Sequence, residues 1–181
     1  MTAAPARLVL PIPERDHVLG PPDAPAALVE YGDFECPHCR QAYPIVESVR
    51  EALGPRLQFA YRHFPLTQIH PHAARAAEAA EAAGAQERFW EMHAVLFANQ
   101  HALEDPDLIR YADHLGLDVA RFAGELAEHA WAPRVREDFM SGVRGGVNGT
   151  PTFFVNGLRH DAPWDAGTLL ETLVTATRRS A

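Results

Sequence analysis

The 181-residue sequence contains no lysine. Schiff-base catalysis and the lysine-bearing phosphate loop are thereby excluded. Its 16 basic residues are all arginines, they form no dense run, and 24 acids outnumber them for a net charge of −8. Non-specific nucleic-acid binding and an anionic-membrane surface are disfavoured on that balance. No apolar run approaches the roughly 18 residues of a membrane span. The longest N-terminal candidate, Leu8 to Ile12, is shorter than the apolar region of a signal peptide. These absences predict a soluble, cytoplasmic chain, although a mature exported protein would read the same way. With 47% hydrophobic and 22% charged residues, the composition is that of one globular domain, with room for an insertion.

Cysteine is almost as scarce. The two present both fall in Cys36-Pro37-His38-Cys39. A disulfide between them closes a four-residue loop, which the chain-entropy relation credits with only about 2 kcal/mol. That makes a poor structural staple, and a reducing cytosol argues against a permanent one. Zinc is the other use of such spacing, with His70 and His72 the nearest clustered histidines, but no second C-x-x-C or H-x3-5-H follows at ligand spacing. Redox chemistry is the favoured reading, and no metal or organic cofactor is expected beyond a redox-active Cys36/Cys39 disulfide.

The flanking residues suit that chemistry. Leu28 to Tyr31 reads as a strand, Gly32 to Glu35 as a turn, and Pro37 to about Leu53 as a helix. Proline is favoured at the first helical position, which makes Cys36 the N-cap and aims the unpaired N–H groups of the first turn at its sulfur. The positive end of the helix then favours thiolate over thiol, and a protonated His38 would add charge of the same sign. Cys36 is expected to be the accessible, reactive sulfur and Cys39 the protected one.

Tyr31 through Cys39, together with Gly149-Thr150-Pro151-Thr152-Phe153-Phe154-Val155-Asn156-Gly157 far downstream, resemble the thioredoxin superfamily and, more closely, its DsbA-like branch. The resemblance implies a thioredoxin fold, a central mixed sheet flanked by helices, with an inserted all-helical subdomain. Residues 1–66 and 146–181 would form the thioredoxin-like part and 67–145 the insertion. It implies further that Pro151 is cis, that the Thr150 backbone is free to pair with a substrate strand, and that Glu30 is a buried acid handling the proton of Cys39. A depressed Cys36 pKa is in part implied by it as well.

The remaining pattern agrees with this frame. Arg56 to Arg62 alternates like a strand, and helical spacing runs from His70 to about Gly145, with breaks at Gly116 and Gly145-Gly146. The aromatic stripe through Phe89, Trp90, His93 and Phe97 reads as core. Asn156-Gly157 is a two-residue hairpin signal, followed by a short strand and a closing helix from about Asp165 to Arg178. His63, His70, His72 and His93 have no acidic partner visible in the sequence and are given no site role. The catalytic set is Cys36, Cys39, His38, Pro37 and Glu30, with Thr150 and Pro151 for substrate. The expected partners are protein or peptide thiols and disulfides together with a redox partner. A redox-sensing or binding module without turnover, and a glutathione-linked isomerase, are the competing functions.

Overall fold

The computed structural model describes residues 7, 8, 11, 12 and 15–179. Val9 and Leu10 of the apolar N-terminal run lie outside the described residues. Among the described residues five strands form one sheet in the order β1-β3-β2-β4-β5, built from His17–Leu19, Ala26–Gly32, Leu57–His63, Thr152–Val155 and Leu158–Arg159 as β1, β2, β3, β4 and β5. Only the central β2–β3 pair is parallel; the other three are antiparallel. Seven α-helices among the described residues accompany them: α1 Pro37–Leu53, α2 Ala73–Gly84, α3 Phe89–Ala98, α4 Asp105–His114, α5 Val119–Ala127, α6 Ala132–Arg144 and α7 Ala166–Arg179. Five of these, α2 to α6, lie between β3 and β4 in the chain.

A strand flanked by layers on both faces is buried on both, and β2 accordingly has only one residue that is not fully buried, Ala27. Its alternate side chains separate two cores. Leu28 joins Phe59, Tyr61, Phe153 and Val155 on the face covered by α1, α3 and α7. Val29 and Tyr31 join Ala60, Phe64, Val147 and Phe154 on the other face, where Phe139 of α6 packs. Glu30, in phase with Leu28, therefore points into the same layer as the cysteines.

Local signals account for several boundaries. The buried residues of α1 are Cys39, Ala42, Val46, Val49 and Leu53, at alternating steps of three and four that place them on one stripe. Asn156 and Gly157 adopt φ of 46° and 78°, as a type I′ hairpin turn requires. The strand expected at Arg56 to Arg62 lies one residue later, and its apolar/polar alternation does not report burial: Arg62 is fully buried. Strand β1 was not expected at all, since three residues carry too little pattern to register.

Candidate active site

Strand β2 delivers the chain into a turn at Asp33, and α1 begins at Pro37 with Cys36 as its N-cap in extended conformation (φ −72°, ψ 122°). The turn is fixed by its own first residue. The Asp33 carbonyl accepts from the Cys36 N–H at 3.1 Å, and its Oδ1 accepts from the Glu35 N–H at 2.8 Å.

Cys36 is 3% exposed and Cys39 0%, both as free thiols. The expectation that exposure distinguishes the two sulfurs is corrected: both lie under the surface, and protonation sets them apart. Hydrogen bonding from the Cys39 thiol, foremost, then from Thr150 and the backbone N–H groups of Cys39 and His38, lowers the Cys36 thiol from 9.0 to about 5 against the opposing cost of burial. Burial, and donation of its hydrogen bond to Cys36, push Cys39 well above its ordinary value. At neutral pH one sulfur is a thiolate and the other holds its proton. The His38 side chain is exposed on the first turn, and its backbone N–H is among the groups that lower Cys36.

Glu30 is 2% exposed. Burial foremost, and the nearby charge of Cys36, raise its carboxyl from 4.5 to about 8, so it is protonated at neutral pH. When protonated, the Cys36 Sγ donates to the Thr150 carbonyl at 3.5 Å, and the Thr150–Pro151 peptide is cis. Fold thus brings together Glu30 from β2, the cysteines from α1 and Thr150 from the entry to β4. Pro37 is exposed beside them.

Three of the four histidines have carboxylate partners, which lie 18 to 37 residues away along the chain, too far for local spacing to reveal. His70 Nδ1 lies 2.8 Å from Asp33 Oδ2, and His72 Nδ1 2.9 Å from Glu35 Oε1. Both pairs pin the segment after β3 against the turn that carries Cys36. His93 is buried among aromatic rings, and desolvation lowers it to about 3, which keeps it neutral. His63 lies 2.8 Å from Glu81. With Asp138 those two make a compact cluster, but Arg134 ion-pairs with Asp138 and approaches Glu81 at 4.0 Å. A guanidinium stands where a cation would sit, which makes the cluster an ion-pair network.

Gln100, just beyond α3, was missed as well. Its Nε2 donates to the Phe34 carbonyl at 2.8 Å and to the Cys36 carbonyl at 2.9 Å, tying the helical layer to the residues around the nucleophile. Gln100→Leu keeps the bulk but removes both donors, and should cost about 1 to 2 kcal/mol in chemical denaturation. A loss within a few tenths of that for an exposed glutamine would show that the two bonds contribute nothing.

The comparisons agree with this geometry. The family model described as thioredoxin matches residues 13–174. A thioredoxin-like oxidoreductase from Silicibacter pomeroyi DSS-3 superposes with a TM-score of 0.78 at 26% identity, over 93% of this chain and 95% of that one. Wolbachia pipientis alpha-DsbA1 gives 0.81 at 20% identity, over 96% of each. In sequence, the chain is 48% identical over 172 residues to a protein of Salinispora tropica named Na(+)/H(+) antiporter NhaA 3, covering 93% of this chain but 26% of that protein. The chain thus spans about a quarter of the length of the curated relatives it matches. Among the described residues no helix is long and apolar enough to cross a membrane. The matched segment, residues 13–174, holds the strands and the helix that carry the cysteine pair, and the chain belongs to the thioredoxin family.

Proposed function

We propose that the chain exchanges disulfides with protein or peptide thiols through Cys36 and Cys39, in the oxidising direction. The observation that carries this reading is the split between the two sulfurs, with Cys36 lowered to about 5 and Cys39 raised. A thiolate is the nucleophile and the better leaving group of a disulfide exchange, so a low value makes Cys36 the sulfur that leaves readily.

Two exchanges make up the cycle. A substrate thiolate attacks Cys36 Sγ of the enzyme disulfide, the Cys36–Cys39 bond breaks, and Cys39 departs with the electron pair and takes a proton from Glu30. A second substrate thiolate then attacks the substrate sulfur of the mixed disulfide, and Cys36 leaves as thiolate. The substrate loses two electrons, the cysteine pair holds them, and a separate redox partner removes them. No organic cofactor enters.

Cys39→Ser should trap substrate proteins on Cys36 as adducts visible on non-reducing gels and released by dithiothreitol. Their absence under oxidising challenge would favour a sensing module without turnover. Full catalytic cycling by Cys39→Ser would instead favour a glutathione-linked isomerase, which does not need the second cysteine.

A further inference from the structure

The buried acid has a neighbour that the exchange cycle leaves unused. Tyr61 is the direct register partner of Glu30 across the parallel β2–β3 pair, and it faces the same core layer. It is fully buried, and its hydroxyl and Glu30 Oε1 are both without a hydrogen-bond partner among the described residues. The last residue of β2 makes room for this hydroxyl, because a Cβ on Gly32 would lie 2.6 Å from it. The backbones of the paired strands stand about 5 Å apart, and Glu30 is near enough for its charge to raise the Tyr61 hydroxyl.

Beyond Tyr61 the polar atoms continue. Its ring meets His93 edge-on at 4.6 Å and His63 at 5.6 Å between centroids. His63 Nδ1 and His93 Nε2 are also buried and unpartnered. On its other side His63 Nε2 lies 2.8 Å from Glu81 Oε1, and Glu81 Oε2 lies 3.0 Å from Nε2 of His17, whose side chain on β1 is 19% exposed. Buried polar groups are nearly always satisfied by protein or by ordered water. Three unsatisfied ones, grouped between the buried acid and the partly exposed His17, trace a path.

We propose that Tyr61 is a positioning residue that passes protons between Glu30 and the His63–Glu81–His17 series, supplying the Cys39 proton through the core layer while a substrate covers the Cys36 face. The inference rests on the exchange cycle above. When Cys39 departs as a thiolate and takes the Glu30 proton, the carboxylate is reprotonated through the Tyr61 hydroxyl, which accepts one proton as it gives another. The groups facing that hydroxyl are Glu30 of β2, Asp33 of the turn, Cys36 and Cys39 at the start of α1, His63 of β3 and His93 of α3. Burial, reinforced by the acidic ones, holds it neutral throughout, so it relays as a hydroxyl and never as a phenolate.

Tyr61→Phe tests this, because removing an unpartnered hydroxyl should leave the melting temperature unchanged or higher. A mixed disulfide of Cys36 with a small thiol is closed by Cys39, and that closure rate is followed against pH in ordinary and heavy water. The expected result is a closure about tenfold slower, with a shifted pH profile and a smaller solvent isotope effect, while the pH midpoint of Cys36 alkylation stays put. His17→Gln, at the solvent end, should slow the same step, and the double variant should be no slower than Tyr61→Phe. Unchanged closure in Tyr61→Phe overturns the proposal. If Glu30→Gln nevertheless slows closure, the acid role stands and only the relay fails; if Glu30→Gln is also silent, both fail together.

Discussion

Reducing the Cys36/Cys39 pair should raise the melting temperature above about pH 6.5 and lower it below that. A thiol at about 5 in the folded protein, against an ordinary 9.0, stabilises the reduced fold fully above the unfolded value, and that contribution is lost as pH falls through the folded one. At pH 7, two units above about 5, it amounts to roughly 2.7 kcal/mol, since each unit is worth about 1.36 kcal/mol. The disulfide replaces this with the roughly 2 kcal/mol of a four-residue loop, which does not vary with pH. The two terms match about one and a half units above the folded value. By pH 8 the reduced form should lead by about 2 kcal/mol, or roughly 4 to 8 °C in a chain of this size. A reduced protein that is more stable than its disulfide is an oxidant. An oxidised form that melts higher at pH 8 would reverse the proposed direction and make the protein a reductant.

Removing Asp16 should be as costly as any single substitution away from the cysteines. Arg62 is fully buried at the side chain, as is Asp16. Its Nε and Nη2 donate to Asp16 Oδ2 at 3.0 and 2.7 Å, Nη1 donates to the Tyr31 hydroxyl at 3.0 Å, and Nη2 also donates to the Pro11 carbonyl at 2.9 Å. Asp16→Ala leaves the guanidinium its neutral partners but no adjacent counter-charge, at an expected cost of about 3 to 5 kcal/mol. The double replacement Asp16→Leu with Arg62→Met should recover most of that, because an apolar pair of similar volume avoids the desolvation of both ions. Denaturant titration of the three proteins checks both statements. A single-variant loss under about 1 kcal/mol would mean that water reaches the charge.

Arg62 also shows where sequence reading stops. Alternation in β3 reports which side chains share a face, and Gln58 and Arg62 do lie opposite Phe59 and Tyr61. It does not report whether that second face meets water or another layer, and here α6 covers it. What was legible rests on groups acting within a few residues: Pro37 at the first turn, Asn156-Gly157 in the hairpin, Gly116 at φ 72° after α4, and the three-and-four spacing of the helices. The motif around the cysteines was legible for the same reason. The pairs of His70 with Asp33 and His72 with Glu35, the reach of Gln100, and the meeting of Glu30 with Tyr61 all depend on which strands and loops become neighbours. No local pattern encodes that. The low value of Cys36 was expected from the helix start and the family resemblance, but its largest cause, the hydrogen bond from Cys39, needs the coordinates of both sulfurs.

The position of the helical layer within the chain has a kinetic consequence. Strand β2 pairs with β3 through a single intervening helix, whereas its other edge pairs Leu28 with Val155 and Tyr31 with Thr152, from opposite ends of the polypeptide. Contacts of such long sequence separation require a large loop to close first and tend to form late. During synthesis the two thiols and the start of α1 emerge well before Thr150 and β4, so a nascent chain carries the cysteine pair without the wall that later covers it. Full-length chains pulsed with a thiol reagent early in refolding should therefore be modified at both cysteines, and protection of Cys39 should develop together with the slowest phase of sheet formation.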